Sequence, residues 1–118
     1  ILLHNNTTSN IMALTKITNE LLADEFFKSE AVSALDIDWE AAAVFTKTFT
    51  TGSTLTFSNV KTGMVKTLVF TGDVSLQWPS GVKWLNGEYD GSATKNIIQL
   101  ISTNDDTEIF GTISNYTT

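Results

Sequence analysis

Met64-Val65-Lys66-Thr67-Leu68-Val69-Phe70 decides the fold class. Val65 and Val69 fall on one face of an extended chain and Leu68 and Phe70 on the other, and β-branched and aromatic residues suit a pleated strand. The same period of two runs outward in both directions. Upstream, Phe45 and Phe49 alternate with threonines over 44–50, and Leu55 and Phe57 alternate with Thr54, Thr56 and Ser58. Downstream, Val74, Leu76 and Trp78 alternate with Asp73, Ser75 and Gln77. Ile97, Ile98, Leu100 and Ile101 form a nearly continuous apolar run over 96–102, and Ile109 and Ile113 flank Gly111 over 107–114. Turn residues separate these runs: Thr51-Gly52-Ser53, Asn59 to Gly63, Gly72-Asp73, Pro79-Ser80-Gly81, Asn86-Gly87 and Asn104-Asp105-Asp106. Six or seven short strands at regular spacing predict a mainly β fold, an antiparallel β-sandwich or a jelly-roll-like barrel. Many of the 19 threonines fall on the polar faces of these strands, where a β-branched hydroxyl residue serves well.

Before residue 40 the period is different. Leu14, Ile17, Leu21, Leu22 and Phe26 lie mostly three and four apart, the stripe of an amphipathic helix. Thr18 is a candidate N-cap, Glu20 sits in the first turn and Lys28 near the end, each where the helix dipole favours it. The spacing predicts a short helix over Thr18–Lys28, a weaker turn over Ser29–Leu35, and a connector at Asp36-Ile37-Asp38-Trp39. The chain thus divides into an N-terminal arm with a short helix, residues 1–40, and a β-sandwich domain, residues 41–118. The apolar stripe must be buried, either on the chain's own sheet or on a neighbouring subunit or particle, which makes it a candidate attachment element.

Composition narrows the function classes. The 118 residues suffice for one core without staples, and 42% apolar with 17% charged residues is a globular balance. There are no cysteines and one histidine, His4, so disulfides, thiolate zinc sites and histidine-based triads are not expected. With 7 lysines, no arginine and a net charge of −6, the chain is not expected to bind nucleic acid. No apolar run approaches the ~20 residues that span a membrane, and no secretory signal is evident. The glycosylation triplets at Asn5, Asn6 and Asn115 are discounted for that reason. Residue 1 is not methionine, whereas Met12-Ala13-Leu14-Thr15-Lys16 reads as a start. Either residues 1–11 are upstream sequence, or the chain is expected to have been processed from something longer.

The candidates for chemistry are few. Asp24/Glu25, Asp36/Asp38 and Asp105/Asp106 are close carboxylate pairs. Asp105-Asp106 reads as a hairpin turn and Asp36/Asp38 as local capping, and no patterned calcium loop surrounds them. Ser80 precedes a glycine without a nucleophile-elbow pattern, and no glycine-rich phosphate loop is present. No catalytic residue, metal ligand or cofactor is expected. Binding is better represented. In Trp78-Pro79-Ser80-Gly81-Val82-Lys83-Trp84-Leu85-Asn86-Gly87-Glu88-Tyr89, alternation with Val74, Leu76 and Val82 assigns Trp78 and Trp84 to the core side, and Tyr89 is expected to be the most exposed of the three. The polar loop from Leu85 to Thr94 follows, and loops of this kind often carry recognition. Trp84, Asn86, Tyr89 and Asp90 are the candidate receptor or partner contacts, since tryptophan and tyrosine stack on sugar rings and dominate interface energies.

The same stretch carries a resemblance. Trp78-Pro79-x-Gly81-Val82-x-Trp84-x-x-Gly87, preceded by Asp38-Trp39, Val44-Phe45-Thr46-Lys47-Thr48 and Leu55-Thr56-Phe57-Ser58-Asn59-Val60 and followed by Ile109-Phe110-Gly111, resembles virion proteins of tailed bacteriophages. In those chains a W-P-x-G-V-x-W-x-x-G segment and a closing strand with a Y/F-G pair end small β-rich modules of tail fibres and head-surface proteins. Ala13-Leu14-Thr15-Lys16-Ile17 is also similar to the start of short phage fibre proteins. The resemblance spans residues 12–118. One departure is Asn104-Asp105-Asp106, where many relatives carry an aspartate-glycine-glycine turn. The resemblance implies a non-enzymatic structural protein on the virion exterior, a capsid-decorating (cement) or tail-fibre module. It also implies a homotrimer partnered by the major capsid protein or tail components. Two other classes compete: a carbohydrate-binding module recognising host surface glycans through Trp84 and Tyr89, and a carboxylate hydrolase using Asp36 or Asp38.

Overall fold

The computed structural model describes residues 27–118. The fold is mainly β, in mixed sheets. Among the described residues ten strands follow one another: β1 (Ser29–Ala31), β2 (Asp36–Asp38), β3 (Val44–Thr48), β4 (Ser53–Thr54), β5 (Thr56–Ser58), β6 (Val65–Thr71), β7 (Leu76–Gln77), β8 (Val82–Asn86), β9 (Lys95–Asn104) and β10 (Glu108–Tyr116). A six-stranded sheet has the order β1-β3-β6-β9-β10-β8, and two small sheets pair β2 with β5 and β4 with β7.

The pairing direction corrects the sandwich expectation. β1–β3, β3–β6, β2–β5, β4–β7 and β8–β10 are all parallel, and only β6–β9 and β9–β10 are antiparallel. The chain winds as a short β-solenoid: each turn lays its strands beside those of the turn before. Ser29 lies beside Val44, 15 positions on. Asp36 lies beside Thr56, 20 positions on. Val44 and Ser53 lie beside Thr67 and Leu76, each 23 positions on. The long β9–β10 hairpin, with β8 on its far edge, closes the stack.

Two further expectations change. Ser29–Leu35 does not form a turn throughout, because Ser29–Ala31 is the edge strand β1. Asp36–Asp38 is not a connector but the strand β2, with Ile37 and Trp39 buried in the core. The boundary expected at residue 40 therefore falls inside the stack. The helix expected over Thr18–Lys28 lies outside the described residues but for its last two positions, and so do Leu14, Ile17, Leu21, Leu22 and Phe26.

The core follows the alternation. Ile37, Trp39, Phe45, Leu55, Leu68, Phe70, Ile98, Leu100 and Ile109 are each at most 1% exposed. Burying each large apolar side chain of this kind contributes about 1.5–3 kcal/mol. The buried side chains of Lys66 and Asn96 are paired. Lys66 Nζ donates to the Ala42 carbonyl at 2.8 Å, and Asn96 bonds the Asp90 backbone in both directions, at 2.8 and 2.9 Å. Such bonds offset the cost of burying a polar group.

Candidate functional site

The aromatic stretch forms the site. An aromatic chain runs from the core to the surface. Phe49 meets Phe70 edge-on at 5.0 Å between ring centroids, Phe70 stacks on Trp78 at 6.0 Å and 13°, and Trp78 meets Trp84 at 4.9 Å and 76°. Trp78 follows β7, the Pro79–Gly81 turn reverses the chain, and β8 carries Trp84 back beside β10. The Gly81 carbonyl accepts from Ile109 N–H at 2.9 Å, which fixes the start of that parallel pair. After β8 the chain leaves through Gly87, at φ +81°. A side chain there would be strained by the left-handed backbone and would run into the Ile113 carbonyl.

Trp78, Trp84, Gly87, Glu88, Tyr89 and Ile113 line a surface pocket of about 270 Å³. Trp84 is 37% exposed, Glu88 is exposed, and Trp78 and Tyr89 are half-buried. Tyr89 is thus less open, and Trp84 more open, than the sequence predicts: the alternation that assigns Trp84 to the core side does not hold on this edge strand. Its hydroxyl donates to the Gly72 carbonyl at 2.7 Å, which fastens the 87–94 loop to the stack. Burial, and then the charge of Asp73, push the Tyr89 hydroxyl pKa up.

Of the four candidate contacts, the structure brings together Trp84 and Tyr89. Asn86 lies on β8 beside Thr112 and does not line the pocket. Asp90 is a loop fastener. Its carboxylate accepts from the Ser92 hydroxyl at 2.7 Å and from Ser92 N–H at 2.9 Å, and these bonds hold its pKa below the usual carboxylate value. Trp78, which alternation assigns to the core side, and Glu88 line the pocket without having been among the candidate contacts. Glu88, one position from Tyr89, carried no separate signal.

Asp36, Asp38 and Asp105 are engaged in structural bonds, whereas the pair Asp24/Glu25 lies outside the described residues. Asp36 accepts from Thr56 and Ser58 hydroxyls at 2.7 Å each, across the β2–β5 pair. Asp38 accepts from Glu40 N–H at 3.0 Å and Asn59 Nδ2 at 2.8 Å. Asp105 accepts from Thr62 N–H and hydroxyl at 3.0 and 3.1 Å, tying the hairpin tip to the 59–63 loop.

A second feature lies on the outer face of the large sheet. Val65, Ile101 and Phe110 are directly paired neighbours on β6, β9 and β10. On β8 the register partner of Phe110 is Lys83, and Leu85, at the register shift, lines the same groove. Val65 is 57%, Ile101 43% and Leu85 65% exposed. The next row, Thr67, Gln99 and Thr112, is polar. No family model, curated protein or solved structure matches the chain.

Proposed function

We propose that this chain is a non-enzymatic structural module on the exterior of a tailed-phage virion, a capsid-decorating or tail-fibre component that works as a homotrimer. The observation that carries the reading is the apolar row Val65-Ile101-Phe110, with Leu85 in the same groove, on an otherwise threonine-rich face. Contiguous exposed apolar surface of this kind marks an interaction site. The carboxylates that would have to do hydrolytic chemistry are engaged in hydrogen bonds that hold strands and loops together, which favours a structural role. The W-P-x-G-V-x-W-x-x-G segment supports the phage reading by resemblance, and its residues here fasten β8 to β10. Residues 14–26 are proposed as the attachment segment. Deleting 1–26, which leaves β1 in place, should abolish incorporation into particles.

Immunogold labelling of intact particles with antibody against this chain tests the proposal. Gold over the head assigns a decorating role, and gold at the tail or its tip assigns an adhesive one. Particles without gold would sink it. A second reading, a module recognising a host surface polymer such as a glycan, is favoured by one observation: the pocket that gathers Trp78, Trp84 and Tyr89 at the end of the aromatic chain.

A further inference from the structure

We infer that the Trp78–Trp84–Tyr89 corner is a binding site for an alkylated ammonium group, closed on one side by the Glu88 carboxylate. The inference rests on the second reading above, that the corner is a ligand site, and names its chemistry. Three observations carry it.

The walls are aromatic and fixed before any ligand arrives. Trp78 is stacked on Phe70, and Trp84 stands at 76° to Trp78. The Tyr89 ring is tethered through its hydroxyl to the Gly72 carbonyl. A rigid corner loses little side-chain freedom on binding. A small cation seated against an indole face is attracted by the ring quadrupole, and tryptophan is the best such partner.

The charge has one sign. Glu88 is the acidic residue of the lining, none of the six lining residues is cationic, and the protein carries a net charge of −6. Asp73 lies close enough for its charge to act on Tyr89. An anionic sugar or a phosphate would meet repulsion here, whereas an ammonium group meets a complementary field.

The polar inventory suits a cation better than a polyol. Tyr89 has committed its hydroxyl proton to Gly72. Beyond the two indole N–H groups, the Glu88 carboxylate is the polar side chain left to the pocket, and it only accepts. A pyranose presents several hydroxyls that need both donors and acceptors. A trimethylammonium group needs neither. At about 270 Å³ the pocket is smaller than the roughly 300–1,000 Å³ of drug-sized ligand sites, which fits a headgroup rather than a chain of sugars.

The test is titration of the full chain, followed by tryptophan fluorescence and by proton NMR of the indole N–H signals. The probes are tetramethylammonium, choline, the uncharged choline isostere 3,3-dimethylbutanol, methyl glucopyranoside and methyl galactopyranoside, at constant ionic strength. Choline and tetramethylammonium should shift the indole signals saturably at millimolar concentration, with the isostere about tenfold weaker or worse. Glu88→Gln, on an exposed side chain, should weaken choline several-fold and leave the isostere unchanged. Trp84→Leu should abolish binding, with circular dichroism reporting whether the fold survives. Equal binding of choline and the isostere overturns the inference, as does indifference to Glu88→Gln. Saturable binding of a pyranoside without choline overturns it too, but leaves the corner a ligand site. Silence from every probe overturns both the inference and the second reading, while the virion proposal stands or falls on the immunogold result.

Discussion

The indole of Trp84 occupies the space that a side chain on Gly111 would need. The two residues are register partners in the parallel β8–β10 pair, and a Cβ on Gly111 would stand 2.7 Å from Trp84 Cζ3 and 2.9 Å from Leu100 Cδ2. Glycine in a strand weakens it unless another group covers the gap, and here an aromatic ring does. Gly111→Ala must push aside either the edge indole or the buried leucine. The expected loss is about 1–3 kcal/mol, as for other overpacked sites. Chemical denaturation would report it as a lower midpoint at unchanged slope, with red-shifted indole emission if Trp84 is the group expelled. Unchanged stability would mean that Trp84 does not rest on Gly111 in solution.

The Thr62–Asp105 contact is expected to contribute to the acid limit of the fold. Thr62 N–H and then its hydroxyl hold the Asp105 carboxyl below the usual range, and Ser92 does the same for Asp90. Both folded values are depressed. Their stabilisation is therefore present above the unfolded value of about 3.9 and is lost as pH falls through the folded values. The thermal midpoint should be flat through neutrality and drop below about pH 4. Asp105 sits at φ +44°, which asparagine also tolerates, so Asp105→Asn removes the charge without a backbone penalty. It should lower the midpoint at pH 7 and flatten the acid limb, and Thr62→Val should do likewise. An acid limb of full steepness in both variants would assign the transition to other carboxylates.

Tyr89 titrates with the opposite sign. Its pKa is raised, so its stabilisation is full below the unfolded value of about 10 and is lost as pH rises through the folded value. Tyr89→Phe removes both this alkaline loss and the bond to Gly72. The variant should be less stable at pH 7 by about 0.5–1.5 kcal/mol and show a shallower decline above pH 10. Equal alkaline declines in the two proteins would mean that the hydroxyl ionises as freely folded as unfolded.

The sequence carries the strands after residue 44 but not the way they pair. Alternation makes Phe45, Leu68 and Phe70 inward whatever the neighbour, so their burial was legible. Direction was not. The offset between stacked residues lengthens from 15 at Ser29 and Val44 to 23 at Val44 and Thr67, which leaves no fixed period to detect. Asp36-Ile37-Asp38 looks like a connector because two aspartates flank one apolar residue. What holds it as a strand is its pairing with β5, where the hydroxyls of Thr56 and Ser58, 20 and 22 positions on, bond Asp36. The site was half legible for the same reason. Trp84 and Tyr89 were visible as residue types, but the exposure of Tyr89 depends on a carbonyl 17 positions away in sequence. The role of Trp78 as a pocket wall depends on where β8 returns.

Trp39 offers a test of core accounting. It is fully buried, packs on Phe57 at 5.4 Å, and its Nε1–H has no hydrogen-bond partner. An unmade buried bond costs about 1–3 kcal/mol, which offsets part of what the ring contributes. Trp39→Phe removes the orphaned donor together with some packing and should cost less than about 2 kcal/mol, whereas Trp39→Ala should cost about 3–5 kcal/mol. Similar losses in the two variants would mean that the indole N–H is bonded in solution, a buried water being the simplest partner.

The apolar row is the surface proposed for association of the chain with itself. Ile101 sits at its centre, paired with Val65 on one side and Phe110 on the other, and its outward side chain takes no part in the core. Each side chain of this size buried at an interface contributes about 1.5–3 kcal/mol, so Ile101→Ser should weaken association by about ten- to a hundredfold while leaving the thermal midpoint of the monomer nearly unchanged. Sedimentation equilibrium of the full chain separates the cases. A trimer that Ile101→Ser converts to monomer makes the row the subunit interface. A trimer indifferent to Ile101→Ser and to Leu85→Ser moves the interface elsewhere and leaves the row for a different virion protein. A chain that stays monomeric at every concentration contradicts the homotrimer, and the row must then be covered by a partner of another kind.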